Sequence, residues 1–243
     1  MIISAKTDIG LRRDANQDCF AYGQPDSGTL SWAVVCDGMG GMAAGNIASE
    51  LAVTVISRAF EDNLSASSSP GFITGLMKTA VEAANAAVFD AAGRQPECHG
   101  MGTTAVAAVV TETKAFFAHA GDSRAYLLRE GRLTQITTDH SIVQSMVESG
   151  QLTADEAEHH PNRNIITRAV GVNPDIEVDL SETEIGEGDI VLLCTDGLTN
   201  CVDVEQIFET LVNTEFSVVA ERLIALANRN GGTDNITVAA IRR

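Results

Sequence analysis

Short apolar runs, each closed by aspartate and glycine, recur along this chain. Trp32 to Cys36 is one, ending at Asp37 with glycine at 38, 40 and 41. Ile190 to Thr195 ends at Asp196-Gly197, Ala115 to Ala120 ends at Gly121-Asp122, and Gly231-Gly232-Thr233-Asp234 leads into Asn235 to Ile241. Brief, β-branched runs bounded by turn residues read as buried strands. Residues 2–6 and 18–22 read as shorter strands on either side of a polar stretch, 10–18, and Pro25 to Gly28 reads as a turn. A hairpin series follows later: 103–111, 115–119, 125–129 and 133–136. Residues 165–170 and 175–180 also carry a strand pattern.

Between these runs the period changes. Ile47, Leu51, Val55 and Ala59 predict a helix over 43–60. After a polar break at Ser65 to Pro70, Phe72, Leu76, Ala80, Ala84, Ala87 and Val88 predict a second. Helical spacing returns at 203–213 and 217–229. Residues 140–164 differ in texture: Asp139-His140-Ser141 opens a short helix, and Thr153-Ala154-Asp155-Glu156 is a capping box for another. Two short helices between strands predict a flap on the surface. Strands in hairpin succession with paired helices favour antiparallel sheets with helices outside, rather than a parallel doubly wound sheet.

Four aspartates thus sit beside glycine at strand ends. An Asp-Gly pair at a strand end is also an ordinary turn. If the strand ends share one edge, however, their carboxylates converge, and converging carboxylates repel unless a cation lies between them. Oxygen-only ligands select hard divalent ions, Mg²⁺ or Mn²⁺, or Ca²⁺ in a roomy cage. Arg13, in the polar loop, is either a surface arginine or a planar fork for a phosphate.

Composition narrows the field. With 243 residues and 44 % hydrophobic content, the chain can build one large domain over 1–243. Its formal net charge of -17 argues against non-specific binding to nucleic acid or anionic membranes. It has no apolar stretch of membrane-spanning length and no signal peptide, which predicts a cytoplasmic protein. Five scattered cysteines suit reduced thiols, and Cys98-His99 lacks partners at zinc-ligand spacing. No EF-hand or calcium repeat is present.

The motifs Gly10-x-x-Arg13-x-x-Asn16-Gln17-Asp18, Asp37-Gly38-Met39-Gly40-Gly41, Gly100-Met101-Gly102-Thr103-Thr104, Ala120-Gly121-Asp122-Ser123-Arg124, Asp139-His140-Ser141, Asp196-Gly197-Leu198 and Gly232-Thr233-Asp234-Asn235 occur in that order across nearly the whole chain. In this set the chain resembles the PP2C (PPM) family of metal-dependent protein Ser/Thr phosphatases, in its compact bacterial form. The resemblance implies an α+β fold, a four-layer αββα sandwich of two face-to-face antiparallel sheets with a helix pair outside each. It implies two core Mn²⁺ or Mg²⁺ ions and a third. Asp37 would bridge two ions, the Gly38 carbonyl would bind one of them, and Asp196 and Asp234 would hold the second. Asp122 would complete a third site with Asp196, Asp18 would order an ion-bound water, and Arg13 would grip the phosphate. Asn235 reads as a turn or supporting residue, Arg124 as a salt-bridge partner and His119 as packed.

The implied reaction is direct hydrolysis of phosphoserine or phosphothreonine. Two ions about 3.5–4 Å apart lower the pKa of a shared water, and the resulting hydroxide attacks phosphorus in line with the leaving oxygen. Some members carry histidine as general acid where this chain has Met39, so the proton donor here is a different group; an ion-bound water is the first candidate, ahead of His140 and His160. Implied partners are phosphorylated Ser/Thr proteins, the substrates of a cognate Ser/Thr kinase and the kinase itself, with a monomer as the default. The alternatives are a same-fold phosphatase acting on an anti-sigma-factor antagonist or a small phosphomonoester, and a non-catalytic pseudophosphatase. The last would be expected to lack one of the aspartates, and none is missing.

Overall fold

The computed structural model describes residues 1–25, 28–40, 44–94 and 96–243. Residues 26 and 27 of the expected turn, Gly41 of the glycine-rich motif and position 43 at the expected helix start lie outside the described residues.

One sheet contains β1 (Ile2–Asp8), β11 (Ile236–Arg242), β10 (Ile190–Cys194), β7 (Arg124–Arg129) and β8 (Arg132–Gln135), in that order. The other contains β2 (Asp18–Gly23), β3 (Ser31–Met39), β5 (Ala105–Val110), β6 (Lys114–Ala120) and β9 (Asp179–Glu184), with the short β4 (Gly102–Thr103) on the end of β3. Every pairing is antiparallel.

Strands buried on both faces explain why the central runs are apolar throughout instead of alternating. In β3, Trp32, Val34 and Cys36 face a core shared with α1 (Ala44–Asn63) and α2 (Pro70–Arg94), while Ala33 and Val35 face the other sheet. In β10, Ile190, Leu192 and Cys194 face α6 (Val204–Asn213) and α7 (Val219–Arg229), while Val191 and Leu193 meet the inter-sheet core. The layers are therefore helix pair, sheet, sheet, helix pair, as the resemblance implies. Alanines at 80, 84, 48 and 52 let α1 and α2 pack closely. Among the described residues no helix is long and apolar enough to cross a membrane, and none of the five cysteines forms a disulfide.

Two of the expected strands differ. Residues 165–170 form only single bridges, Ser141 to Ile166 and Thr103 to Val170, because Ser141 gives way at once to a helix at Ile142 and Thr103 belongs to the two-residue β4. The strand expected at 175–180 is β9, displaced to 179–184. Ile176, Val178 and Leu180 do alternate into the core. The partner strand β6 ends at Ala120, one residue past the His119–Asp179 pair, so nothing remains opposite 175–177. The flap region holds α3 (Ile142–Glu148), capped by Ser141, and α4 (Ala154–Glu158), whose Thr153–Glu156 capping box forms as read. Between β10 and α6 lies the short α5 (Asp196–Thr199).

Candidate active site

The strand-end aspartates converge at one end of the sandwich. Gly38 N–H donates to Gln17 O at 3.1 Å, so 17 and 38 form a hydrogen-bonded pair. The next pair, Asp18 and Asp37, is the non-hydrogen-bonded kind, in which side chains approach most closely. Asp37, where the apolar run stops but two residues before β3 ends, is held in a fixed pose. Its N–H donates to Thr104 Oγ1 (2.9 Å), and its carbonyl accepts from Thr103 Oγ1 and the Thr104 N–H (both 2.8 Å). Thr104 Oγ1 also bonds Ser123 Oγ at 2.7 Å, which ties the Asp37 strand to the Gly121–Arg124 turn. Gly38 is needed for packing: a Cβ there would lie 2.0 Å from Gly45 O in the first turn of α1. A Cβ at Gly10 (φ +77°) would lie 2.1 Å from Asp234 O, so the Arg13 loop rests directly on the 232–235 segment.

Asp18 is the buried member. Its Oδ2 accepts from Thr237 Oγ1 (2.7 Å) and Thr195 Oγ1 (2.9 Å), both from the opposite sheet. Thr7 Oγ1 lies 2.7 Å from Thr237 Oγ1, and Asn16 Nδ2 donates to Thr7 Oγ1 at 2.9 Å. Asp18 Oδ1 and Asp196 Oδ1 are buried without a hydrogen-bond partner. Asp196 Oδ2 accepts from Asn200 Nδ2. Burial pushes Asp18 up to about 7 despite its two threonine donors, with repulsion from Asp196 and Asp234 adding to it. Asp122 is raised to about 7 by burial and then by Asp196 and Asp139. Asp37 is driven well above the ordinary carboxylate range by burial and by Asp18, Asp196, Asp122 and Asp234 together. Asp196 is raised by burial and then by Asp234, offset in part by the Asn200 hydrogen bond and the field of Arg124.

These groups want positive charge. Orphaned carboxylate oxygens and mutual repulsion, with an oxygen-only donor set, fit hard divalent cations. The structure thus brings Asp18, Asp37, Asp122, Asp196 and Asp234 into one electrostatic cluster, with Gly38 in the adjoining strand end. Arg13 reaches the same cluster, where its Nη2 donates to Asp234 Oδ2 at 2.7 Å.

Several residues that support the site were not singled out from sequence. Thr237 is a buried hydroxyl in the otherwise apolar β11 and Thr195 one directly after the apolar β10, and that was the available signal. Asn235 is more than a turn residue: its Nδ2 donates to Ile9 O and Ala15 O, and its Oδ1 accepts from the Gln17 N–H. Arg124 makes the expected salt bridge, a fork onto Asp139 at 2.7–3.0 Å. His119 is packed, stacked on His140 with ring centroids 4.7 Å apart, and burial lowers its pKa to about 3.

His119, His140 and Asp179 place ligand atoms within 4.8 Å of one another; His140 and Asp179 are engaged by neighbours, whereas both ring nitrogens of His119 are buried without a hydrogen-bond partner. His140 Nδ1 accepts from the Gly121 N–H (3.0 Å), and its Nε2 lies 3.1 Å from Asp179 Oδ2 and 2.9 Å from Arg168 Nη1. Arg168 bonds the other Asp179 oxygen and Glu177. The cluster fastens the start of the 140–164 segment to the Asp122 turn, which His140 also holds through its N–H to Gly121 O at 2.8 Å.

A family model described as protein phosphatase 2C matches residues 12–229. The chain belongs to the protein phosphatase 2C family. Among its relatives, a putative protein phosphatase 2C-type protein of Streptococcus pyogenes serotype M6 is 38% identical over 243 residues, 99% of this chain and 97% of that one. The serine/threonine phosphatase structure from S. agalactiae superposes with a TM-score of 0.90 at 38% identity, covering 98% of each chain. The catalytic domain of the serine/threonine protein phosphatase PstP, solved with two manganese ions, gives 0.86 at 37% identity, covering 98% of this chain and 96% of that one. The phosphatase 2C sandwich therefore extends over essentially the whole described chain.

Proposed function

We propose that the aspartate cluster and Arg13 together hydrolyse phosphoserine and phosphothreonine in proteins, with Asp37, Asp122, Asp196 and Asp234 and the Gly38 carbonyl as ion ligands and Asp18 as a supporting acceptor. Family membership makes the chain an enzyme, a PP2C-type Ser/Thr protein phosphatase that uses Mn²⁺ or Mg²⁺. The observation that carries the site reading is the meeting of strand-end carboxylates from both sheets, two of them with orphaned buried oxygens. When bound, the ions supply Lewis-acid chemistry, offsetting charge on the phosphoryl group and bringing water within reach of deprotonation near neutral pH.

The chain's own residues do the rest. Thr195 and Thr237 hold Asp18 Oδ2, which leaves Oδ1 as the acceptor for a water. Thr103 and Thr104 fix the backbone of Asp37. Arg13 offers its guanidinium to the equatorial oxygens of phosphate. Met39 at the strand end has no proton to give. Residues 140–164 act as a flap on a single phosphatase domain. The protein works in the cytoplasm as a monomer, on targets of a Ser/Thr kinase and on the kinase itself.

The test is hydrolysis of a phosphothreonine peptide with Mn²⁺, with Mg²⁺ and with chelator, in wild type and Asp196→Asn. Metal-dependent turnover that collapses in the variant is expected. Equal turnover in chelator, or an unimpaired variant, would remove the carboxylate cluster from the mechanism.

A further inference from the structure

Of the carboxylates in the cluster, Asp234 is the one already taken. Its Oδ1 accepts from its neighbour's N–H, Asn235, at 2.8 Å, and its Oδ2 accepts from Arg13 Nη2 at 2.7 Å. Asp18 and Asp196 each keep an oxygen with no partner. Arg13 is itself held in acidic surroundings, with its pKa raised chiefly by the bond to Asp234 and then by the fields of Asp234, Asp37 and Asp196, against a smaller opposing effect of burial. We infer that Arg13 is a latch as well as a phosphate anchor: it competes with the cation for Asp234, so that its grip on phosphate strengthens when an ion takes that carboxylate.

The backbone around Arg13 makes this a movement of the side chain alone. Leu11 N–H donates to Gly232 O at 2.7 Å, and Asn235 Nδ2 bonds Ile9 O on one side of Arg13 and Ala15 O on the other. The loop is thus pinned to the 232–235 segment at both flanks. The Arg13 side chain is 51% exposed and that of Asp234 27% exposed, and they meet through one guanidinium nitrogen. An exposed, single-contact pair shifts an equilibrium by no more than about five-fold. The latch is therefore weak enough to be opened by a divalent ion. Linkage makes it reciprocal: whatever draws Arg13 toward phosphate strengthens ion binding by the same factor. Without metal, the site offers Arg13 to phosphoproteins less readily, by up to about five-fold.

The inference rests on the assignment of Asp234 as an ion ligand, and the test separates the two. Mn²⁺ binding is measured by calorimetry on the full, chelator-stripped chain without substrate, for wild type, Arg13→Gln, Arg12→Gln and Asp234→Asn. Arg13→Gln is expected to bind Mn²⁺ about two- to five-fold more tightly. Arg12→Gln, which removes the same charge one residue away, should stay near wild type. In a second arm, with chelator present, inorganic phosphate is titrated by ³¹P line broadening. Asp234→Asn, which frees Arg13, should bind phosphate more tightly than wild type, and more tightly than Asp196→Asn, which removes a carboxylate but leaves the latch closed. If Arg13→Gln and Arg12→Gln behave alike toward Mn²⁺, or Asp234→Asn and Asp196→Asn behave alike toward phosphate, there is no latch. If Asp234→Asn binds Mn²⁺ as wild type does, the ligand assignment itself fails and the latch with it.

Discussion

Asn235 lies under the Arg13 loop, and replacing it with alanine removes three side-chain hydrogen bonds: to Ile9 O at 2.9 Å, to Ala15 O at 3.0 Å and from Gln17 N–H at 2.8 Å. A typical bond contributes about 1 kcal/mol net, and a donor or acceptor left buried without a partner costs more. The residue is buried, but the loop above it is exposed from 11 to 15, so water can reach part of what is vacated. The expected loss is therefore about 3 kcal/mol, the plain sum of three ordinary bonds. For a chain of this size that corresponds to a fall in Tm of about 6–12 °C. The assay is urea unfolding followed by far-UV circular dichroism in chelator, with the m-value checked so that the comparison stays two-state. The same variant should lose kcat/KM for phosphopeptide, because Arg13 then keeps only the Leu11 N–H to Gly232 O bond as a pin on the 232–235 segment. A stability change below about 0.5 kcal/mol, the ordinary scatter for a surface substitution, would show that these bonds do not hold the loop and would refute the reasoning.

Three further outcomes follow from the same geometry. Thr237→Val keeps shape but deprives Asp18 of its shortest donor, at 2.7 Å; bonds to charged groups contribute about 1.5–3 kcal/mol, so Mn²⁺ affinity should fall about ten-fold or more by calorimetry, and unchanged affinity would sink the supporting role of Asp18. In chelator the protein should lose stability as pH rises: Asp18 and Asp122 are held at about 7 in the folded state, so the folded chain keeps protons that the unfolded chain releases near pH 4. That contribution is full below the unfolded value and gone above about 7, so the urea midpoint should drop between pH 5 and 7.5 and recover with Mn²⁺, whereas a flat profile would contradict the electrostatic picture. Thr153→Ala breaks the capping box of α4 and costs about 1 kcal/mol locally; kcat/KM should change for a phosphoprotein but not for an aryl phosphate, and equal effects on both would argue against a flap that reads substrate.

Much of the architecture was legible because its signals are local. Apolar runs that stop at Asp-Gly place a carboxylate at a strand end wherever the strand lies, and the Thr153–Glu156 box needs only four consecutive residues. Contacts between distant segments were not legible. Nothing near Asp18 announces that its partners are Thr195 and Thr237, some 180 and 220 positions away. The His140–Asp179–Arg168 cluster depends on where β6 gives out, and for the same reason the strand read at 175–180 lies at 179–184. A strand pattern states which residues will face a core; the length of the neighbouring strand decides which of them are paired. The resemblance supplied the convergence of the aspartates that spacing left open.

Over most of their facing area the two sheets meet through alanine, valine, leucine and phenylalanine, a contact without direction. At one pole they are sewn together by hydroxyls of one sheet bonded to a carboxylate of the other. Slippage between the leaves is therefore resisted inside the ion cluster at this pole, and at the other by Arg129 Nη1 donating to Glu184 O (3.0 Å) and Arg243 Nε to Glu112 O (2.7 Å). Amide hydrogens on the last residues of β3, β10 and β11 should consequently exchange with solvent in one concerted opening, slower with Mn²⁺ present, while the far ends of the same strands open independently of the cation.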